Sequence, residues 1–152
     1  MNKNRHQMAV AAHLWLFDVQ GRSLFLRRAN TGYADGQWSV PAGHVEQGET
    51  IAEACVREAH EEIGIVLAPE ELRFSLVQHK RDFDGEERID VFFAANLPTG
   101  QTATIREPTY CDGLTWSEPG HAPDPLVEYI ASALAHRDDG HSNLIYWGFD
   151  EK

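Results

Sequence analysis

Apolar residues crowd positions 8–17 and return at 23–28, separated by Asp18-Val19-Gln20-Gly21, so the chain is expected to open as a hairpin of two strands. Asn30, Gly32, Asp35 and Gly36 mark the next stretch as a loop, and only a short extended piece is expected at 38–41. Thr50 followed three residues later by Glu53 fits a capping box, and Gly64 is placed to stop what it starts. The spacing therefore predicts a helix over 51–62. Further on, 72–79 and 89–97 read as strands joined by a turn at Asp82-Phe83-Asp84-Gly85. The stretch 98–113 reads as loop, and 114–117 as a short last strand. Asp124-Pro125 resembles an N-cap with proline at the first helical position, which predicts a second helix over 125–136.

Strands before, between and after two helices indicate an α/β fold with a mixed, partly antiparallel sheet. At 152 residues the chain is expected to form a single domain, 1–152, with terminal segments 1–7 and 138–152. Leu144, Tyr146, Trp147 and Phe149 make the second of these too apolar to be purely solvent-exposed.

Charge sharpens this picture. The 24 acids outnumber the 13 Lys and Arg residues, for a net charge of −11. A balance this negative, with no basic run, argues against nucleic acid or an anionic membrane as partner. If the protein handles an anion, a cation must mediate. No run reaches the roughly 18 to 20 apolar residues of a membrane span, and no secretory signal is expected, which points to a cytoplasmic setting. Cys55 and Cys111 lack CxxC spacing and are expected to be reduced thiols.

The predicted 51–62 helix carries an unusual arrangement. Glu58, Glu61 and Glu62 stand at i, i+3 and i+4, on one face, beside an apolar stripe of Ala52, Cys55, Val56, Ala59 and Ile63. Neighbouring like charges each cost a few tenths of a kcal/mol, and carboxylates in a last turn oppose the helix dipole. A solvated acidic surface is the plain reading. A bound divalent cation would remove both penalties, and hard oxygen ligands suit Mg²⁺ or Mn²⁺. Just upstream, Val40-Pro41-Ala42-Gly43-His44 enters the helix, with Gly43 permitting close backbone approach and a carbonyl aimed at a metal. Between Gly43 and Ile65, six glutamates face Arg57 alone, so −5 of the −11 sits in 23 residues.

These residues resemble the signature of the Nudix hydrolases, MutT-like enzymes. Gly43, Glu49, Arg57, Glu58, Ala59, Glu61, Glu62, Gly64 and Ile65 stand at every fixed position of that motif, with Ala59 a mild choice at an aliphatic slot. The resemblance implies an α/β/α sandwich. It also implies Mg²⁺-dependent hydrolysis of a diphosphate linkage in a nucleoside diphosphate joined to another group, releasing a nucleoside monophosphate. A non-catalytic, ligand-sensing Nudix module is the alternative. The substrate would be a small nucleotide, and homodimers are frequent in the family.

On this resemblance Glu58, Glu61 and Glu62 are the metal ligands, with the Gly43 carbonyl and Glu107 as further candidates, and one of the acids activates water. Arg57 either pairs with Glu49 to orient the helix or serves catalysis directly; Glu49 and Gly64 are structural parts of the motif. Glu107 is equally readable as a loop carboxylate, with Asp112 the weaker candidate for the same task. Arg28 resembles a phosphate contact or is a solvated arginine. Trp15, Trp38, Phe83 and Tyr110 are candidate platforms for a base, or simply core aromatics. His44 is expected to pack rather than ligate. No proline stands about sixteen residues past the motif, where ADP-ribose hydrolases tend to have one; Arg81, Asp82 and Phe83 occupy that region.

Overall fold

A computed structural model describes residues 3–139 and 143–149. Its elements run β1 (Ala9–Phe17), β2 (Ser23–Arg28), β3 (Trp38–Ser39), β4 (Ala42–His44), α1 (Ile51–Ile63), a 3₁₀ turn (Pro69–Glu71), β5 (Arg73–Arg81), β6 (Glu87–Asn96), β7 (Cys111–Ser117), α2 (Glu128–Asp139) and β8 (Leu144–Trp147). One mixed sheet takes the order β3-β2-β1-β6-β5-β8, with β4 also paired to β1 and β7 to β2.

Alternation along the strands sorts the core into two layers. Ala12, Leu14 and Leu16 of β1 and Leu24 and Leu26 of β2 pack under α1, against Ala54, Cys55, Ala59 and Ile63. On the opposite face Trp15, Phe25, Leu76 and Phe92 pack under α2, against Tyr129, Ile130 and Ala133. The fold is thus the α/β/α arrangement expected. His13, buried on the α2 side, stacks on Phe92 at 4.5 Å, and burial lowers its pKa to about 4, so it is neutral.

The helix carrying the acids forms where the local signals put it. Thr50 accepts a hydrogen bond from Glu53 N (3.0 Å), the Glu53 carboxylate accepts from Thr50 N (3.1 Å), and Gly64 ends the helix at φ 72°. Its buried stripe includes Ala54 in place of the expected Ala52. Elsewhere long-range pairing moves the boundaries. The opening hairpin holds only at Phe17↔Ser23; beyond it β1 and β2 part, β4 takes the place beside β1 over residues 11–13, and β6 runs parallel along β1's other edge. The second helix begins at Glu128, not Pro125. Pro125 O accepts from Trp38 N (2.8 Å) and Val127 N donates to Trp38 O (2.9 Å), so these residues extend a strand instead. β7 starts at Cys111, three residues before the expected 114. In the 138–152 segment β8 lies parallel to β5 and buries Ile145, while Leu144 and Tyr146, expected to be covered, stay exposed at 53% and 60%. Residues 1, 2, 140–142 and 150–152 lie outside those described. No helix among the described residues is long and apolar enough to cross a membrane.

Candidate active site

The second half of α1 gathers its acids around one cation. Arg57 donates from Nε and Nη2 to the two oxygens of Glu49 (3.1 and 2.8 Å), a bidentate pair across eight residues. Nη1 reaches Glu58 Oε1 (2.8 Å) and Glu61 Oε2 (3.3 Å), and Nη2 also donates to the His44 carbonyl (3.1 Å). The Glu49 carboxylate accepts in addition from Glu46 N (2.7 Å) and is held below its ordinary pKa, first by the arginine and then by that amide. Arg57 therefore fixes both the loop before the helix and the row of acids. Glu61 is the outer member, with its side chain 48% exposed against 16% for Glu58.

Glu62, one turn beyond Glu58, bonds to the β4 backbone rather than to Arg57. Its Oε2 accepts from Ala42 N (3.0 Å), and loss of solvent, reinforced by the charge of Glu58, pushes its pKa well above the ordinary 4.5. Glu58 is raised too, by the same loss of solvent, against the lowering pull of Arg57. Gly43 is required here, because a Cβ at this position would overlap the Glu58 carboxylate and Cγ. The β4 backbone thus lies directly on the acid row.

Glu107 reaches the same place from a distant segment. Thr104 N donates to Ile63 O and Arg106 N to Glu62 O, both 3.0 Å, satisfying carbonyls at the end of α1. That pairing delivers the next residue, Glu107, whose charge adds to the raised pKa of both Glu58 and Glu62. Glu62 and Glu107 both line a cavity of about 90 Å³. Arg27, Arg28, Tyr110, Cys111 and Tyr129 are among the other walls of this cleft, with Ser39 of β3 and Ala42 of β4. Among the described residues no three His, Cys, Asp or Glu side chains close on a point as a metal cage does, and Arg57 holds two of the acids, Glu58 and Glu61. The donor set still fits a hard divalent cation: one partly desolvated carboxylate beneath, a second against a glycine cradle, and acceptor oxygens only.

The other expected residues divide. Arg28 lines the cleft beside Glu62 and Glu107. Tyr110 lines it too and is 56% exposed. Trp38 lies under Arg27 (5.4 Å) and packs with the α2-side core. Trp15 is wholly buried in that core. Phe83 stands fully exposed at the β5–β6 turn and lines a separate groove with Asp84, Glu128 and Tyr146, apart from Glu62 and Glu107. Asp112 ties down Arg27 (2.7 Å) at the rim. Sequence reasoning passed over Arg27 and Tyr129, which line the cleft, and Tyr33, which packs on Arg28 beside it. Arg27 had a readable signal, the Arg-Arg pair ending a strand, whereas Tyr129 comes from α2, which meets the cleft only in three dimensions.

The NUDIX domain model matches residues 7–136. An isopentenyl-diphosphate Delta-isomerase of Cutibacterium acnes is 43% identical over 74 residues, 47% of this chain and 36% of that protein. The human 8-oxo-dGDP phosphatase is 54% identical over 37 residues, 24% of this chain and 12% of that one. The chain therefore spans at most about a third of the length of these curated relatives. Among solved structures, a MutT NUDIX hydrolase from Burkholderia pseudomallei superposes with a TM-score of 0.75 at 26% identity, over 86% of this chain and 98% of that one.

Proposed function

This chain belongs to the NUDIX domain family, and from that premise we propose that it hydrolyses a diphosphate linkage in a nucleoside diphosphate joined to another group. The product is a nucleoside monophosphate, and the reaction depends on Mg²⁺, with Mn²⁺ able to substitute. The observation that carries the reading is that Glu62 and Glu107 line one cleft together with Arg27 and Arg28, with Glu58 near enough to Glu62 for its charge to be felt there. Acids alone would repel a diphosphate and arginines alone would merely bind it. Together they suit a substrate that arrives with, or meets, a divalent cation.

Glu58, Glu61 and Glu62 would hold the ion, with the Gly43 carbonyl and Glu107 as further oxygen donors. When bound, Mg²⁺ neutralises diphosphate oxygens and makes an adjacent water a stronger acid. The chain's own residues do the rest. Arg28 binds a phosphate oxygen, Arg57 and Glu49 keep the acid row in place, and the proton leaving the attacking water passes to a glutamate of the cluster. Glu58, set against the Gly43 backbone, or Glu107 from the later loop takes that proton. Water oxygen bonds to phosphorus as the anhydride P–O bond breaks. The substrate is a free small molecule, and neither nucleic acid nor a membrane enters the scheme. A cytoplasmic setting and a homodimer accompany this reading.

The two curated relatives are named for different diphosphates, one isoprenoid and one nucleoside, so the test has to offer both. Purified protein with Mg²⁺ is incubated with nucleoside triphosphates, oxidised nucleotides, nucleotide sugars and isopentenyl diphosphate, and released phosphate or pyrophosphate is measured. At least one nucleotide is expected to turn over, and Glu61→Gln is expected to lower that rate by about 100-fold or more with an unchanged circular dichroism spectrum. A panel without turnover in Mg²⁺ or Mn²⁺ would overturn the hydrolase and leave the ligand-sensing module.

A further inference from the structure

The loop 29–37 is far more constrained than an exposed connection requires. Asp35 accepts from Thr31 N and Gly32 N (both 3.0 Å) and from Thr31 Oγ1 (2.5 Å). Arg28 donates from Nε to Tyr33 O (2.9 Å) and from Nη2 to Thr31 Oγ1 (3.1 Å), while Gly36 N donates back to Arg28 O (2.7 Å). Asn30 and Ala34 hold left-handed backbones, φ 54° and 51°, a conformation that costs a side chain such as alanine on the order of 1 kcal/mol. Asn30 Nδ2 to Thr109 O (2.8 Å) and Ala29 N to Tyr110 O (3.0 Å) bolt the loop to the segment that follows Glu107.

All of this fixes one ring. Tyr33 lies over the Arg28 guanidinium (5.7 Å), and Arg28 lines the cleft. Its phenol, outside the cleft lining itself, is within electrostatic reach of Tyr129, which does line the cleft, and of Asp82. With the cation taking one face, Tyr33 still leaves 49% of its surface open. Its surroundings are polar: Arg28, Asn30, Thr31 and Asp35. An isoprenoid tail gains only contact with the ring and nothing from the polar neighbours, whereas a nucleobase offers a flat π-face for the ring and a polar edge for the neighbours.

We infer that Tyr33 is a specificity-determining residue that stacks on the base of a nucleotide substrate, its ring preset by Arg28 and the loop 29–37. This rests on the hydrolase reading and narrows its substrate class to nucleotides over isoprenoid diphosphates.

The test compares KM and kcat of wild type, Tyr33→Leu and Tyr33→Phe on the best nucleotide of the panel, with thermal melts of all three. Expected is a KM raised about tenfold or more in Tyr33→Leu with kcat within twofold, and wild-type KM in Tyr33→Phe, which keeps the ring. A merely structural tyrosine would lower the melting temperature and move both constants. An unchanged KM in Tyr33→Leu, an equal loss in Tyr33→Phe, or preferred turnover of isopentenyl diphosphate would overturn the inference while leaving the hydrolase standing. If wild type turns over no nucleotide, the hydrolase falls, and equilibrium titration with ATP and Mg²⁺ decides this inference alone. Binding weakened tenfold in Tyr33→Leu upholds it, and no binding by wild type overturns it.

Discussion

Gly43→Ala separates the two jobs of the loop before α1. Gly43 is held in β4 opposite Ala12, so its backbone cannot retreat, and the new Cβ would overlap Cγ, Cδ and Oε1 of Glu58. Those atoms are the free end of a flexible side chain, so Glu58 swings away. An off-rotamer side chain costs about 0.5–1.5 kcal/mol. Losing the 2.8 Å contact with Arg57, a pair still partly open to solvent, adds about 1 kcal/mol at most. Restricting the unfolded chain returns about 0.4–1 kcal/mol. The net loss stays within about 2 kcal/mol, a drop of about 8 °C or less in a domain of this size. Activity responds differently, since a carboxylate displaced by about 1 Å costs about 100-fold. Thermal melts and Mg²⁺-dependent phosphate release on the same preparations give the two numbers. Half or more of wild-type activity would show that the position of Glu58 is immaterial. A fall above about 15 °C would show that Glu58 cannot move and that the close approach serves the fold.

Other expectations follow from the same contacts. Because the folded pKa of Glu62 is raised, its contribution to stability is present below its unfolded value of about 4.5 and is lost as pH rises through the folded value. In EDTA, Glu62→Gln is therefore expected to melt above wild type at pH 8, with the gap closing toward pH 5; a gap that is absent or widens on acidification would refute the assignment. Thr50→Ala removes the hydroxyl of the capping box, and urea unfolding is expected to report a loss of about 1 kcal/mol. A loss under about 0.3 kcal/mol would mean that packing alone fixes the start of α1.

What could be read from sequence was what short-range chemistry decides. Thr50, Glu53 and Gly64 bound α1 because capping is settled within four residues, and the i, i+3, i+4 spacing of Glu58, Glu61 and Glu62 follows once the helix is granted. The α/β class was legible for the same reason. Partner choice was not. Whether Pro125 begins a helix depends on Trp38, 87 positions away, and whether 144–147 is tail or strand depends on β5. The cleft follows the same rule. Arg28 could be suspected from the end of a strand, but Tyr129 lines the site only because α2 folds over the far face, and Tyr33 comes beside it only through its contact with Arg28. Phe83, attractive by composition, is carried away from the acids by the hairpin that holds it.

Arg57 has a consequence for how the protein is made. A row of acids without a counter-charge would have to wait for a cation before its helix could settle, as small zinc domains wait for zinc. Here the chain brings its own, and one guanidinium holds Glu49, Glu58, Glu61 and the His44 carbonyl together. On the hydrolase reading, a newly synthesised copy is expected to reach its final shape without magnesium, and taking up the ion would be a reversible adjustment of a finished protein rather than a condition of its birth.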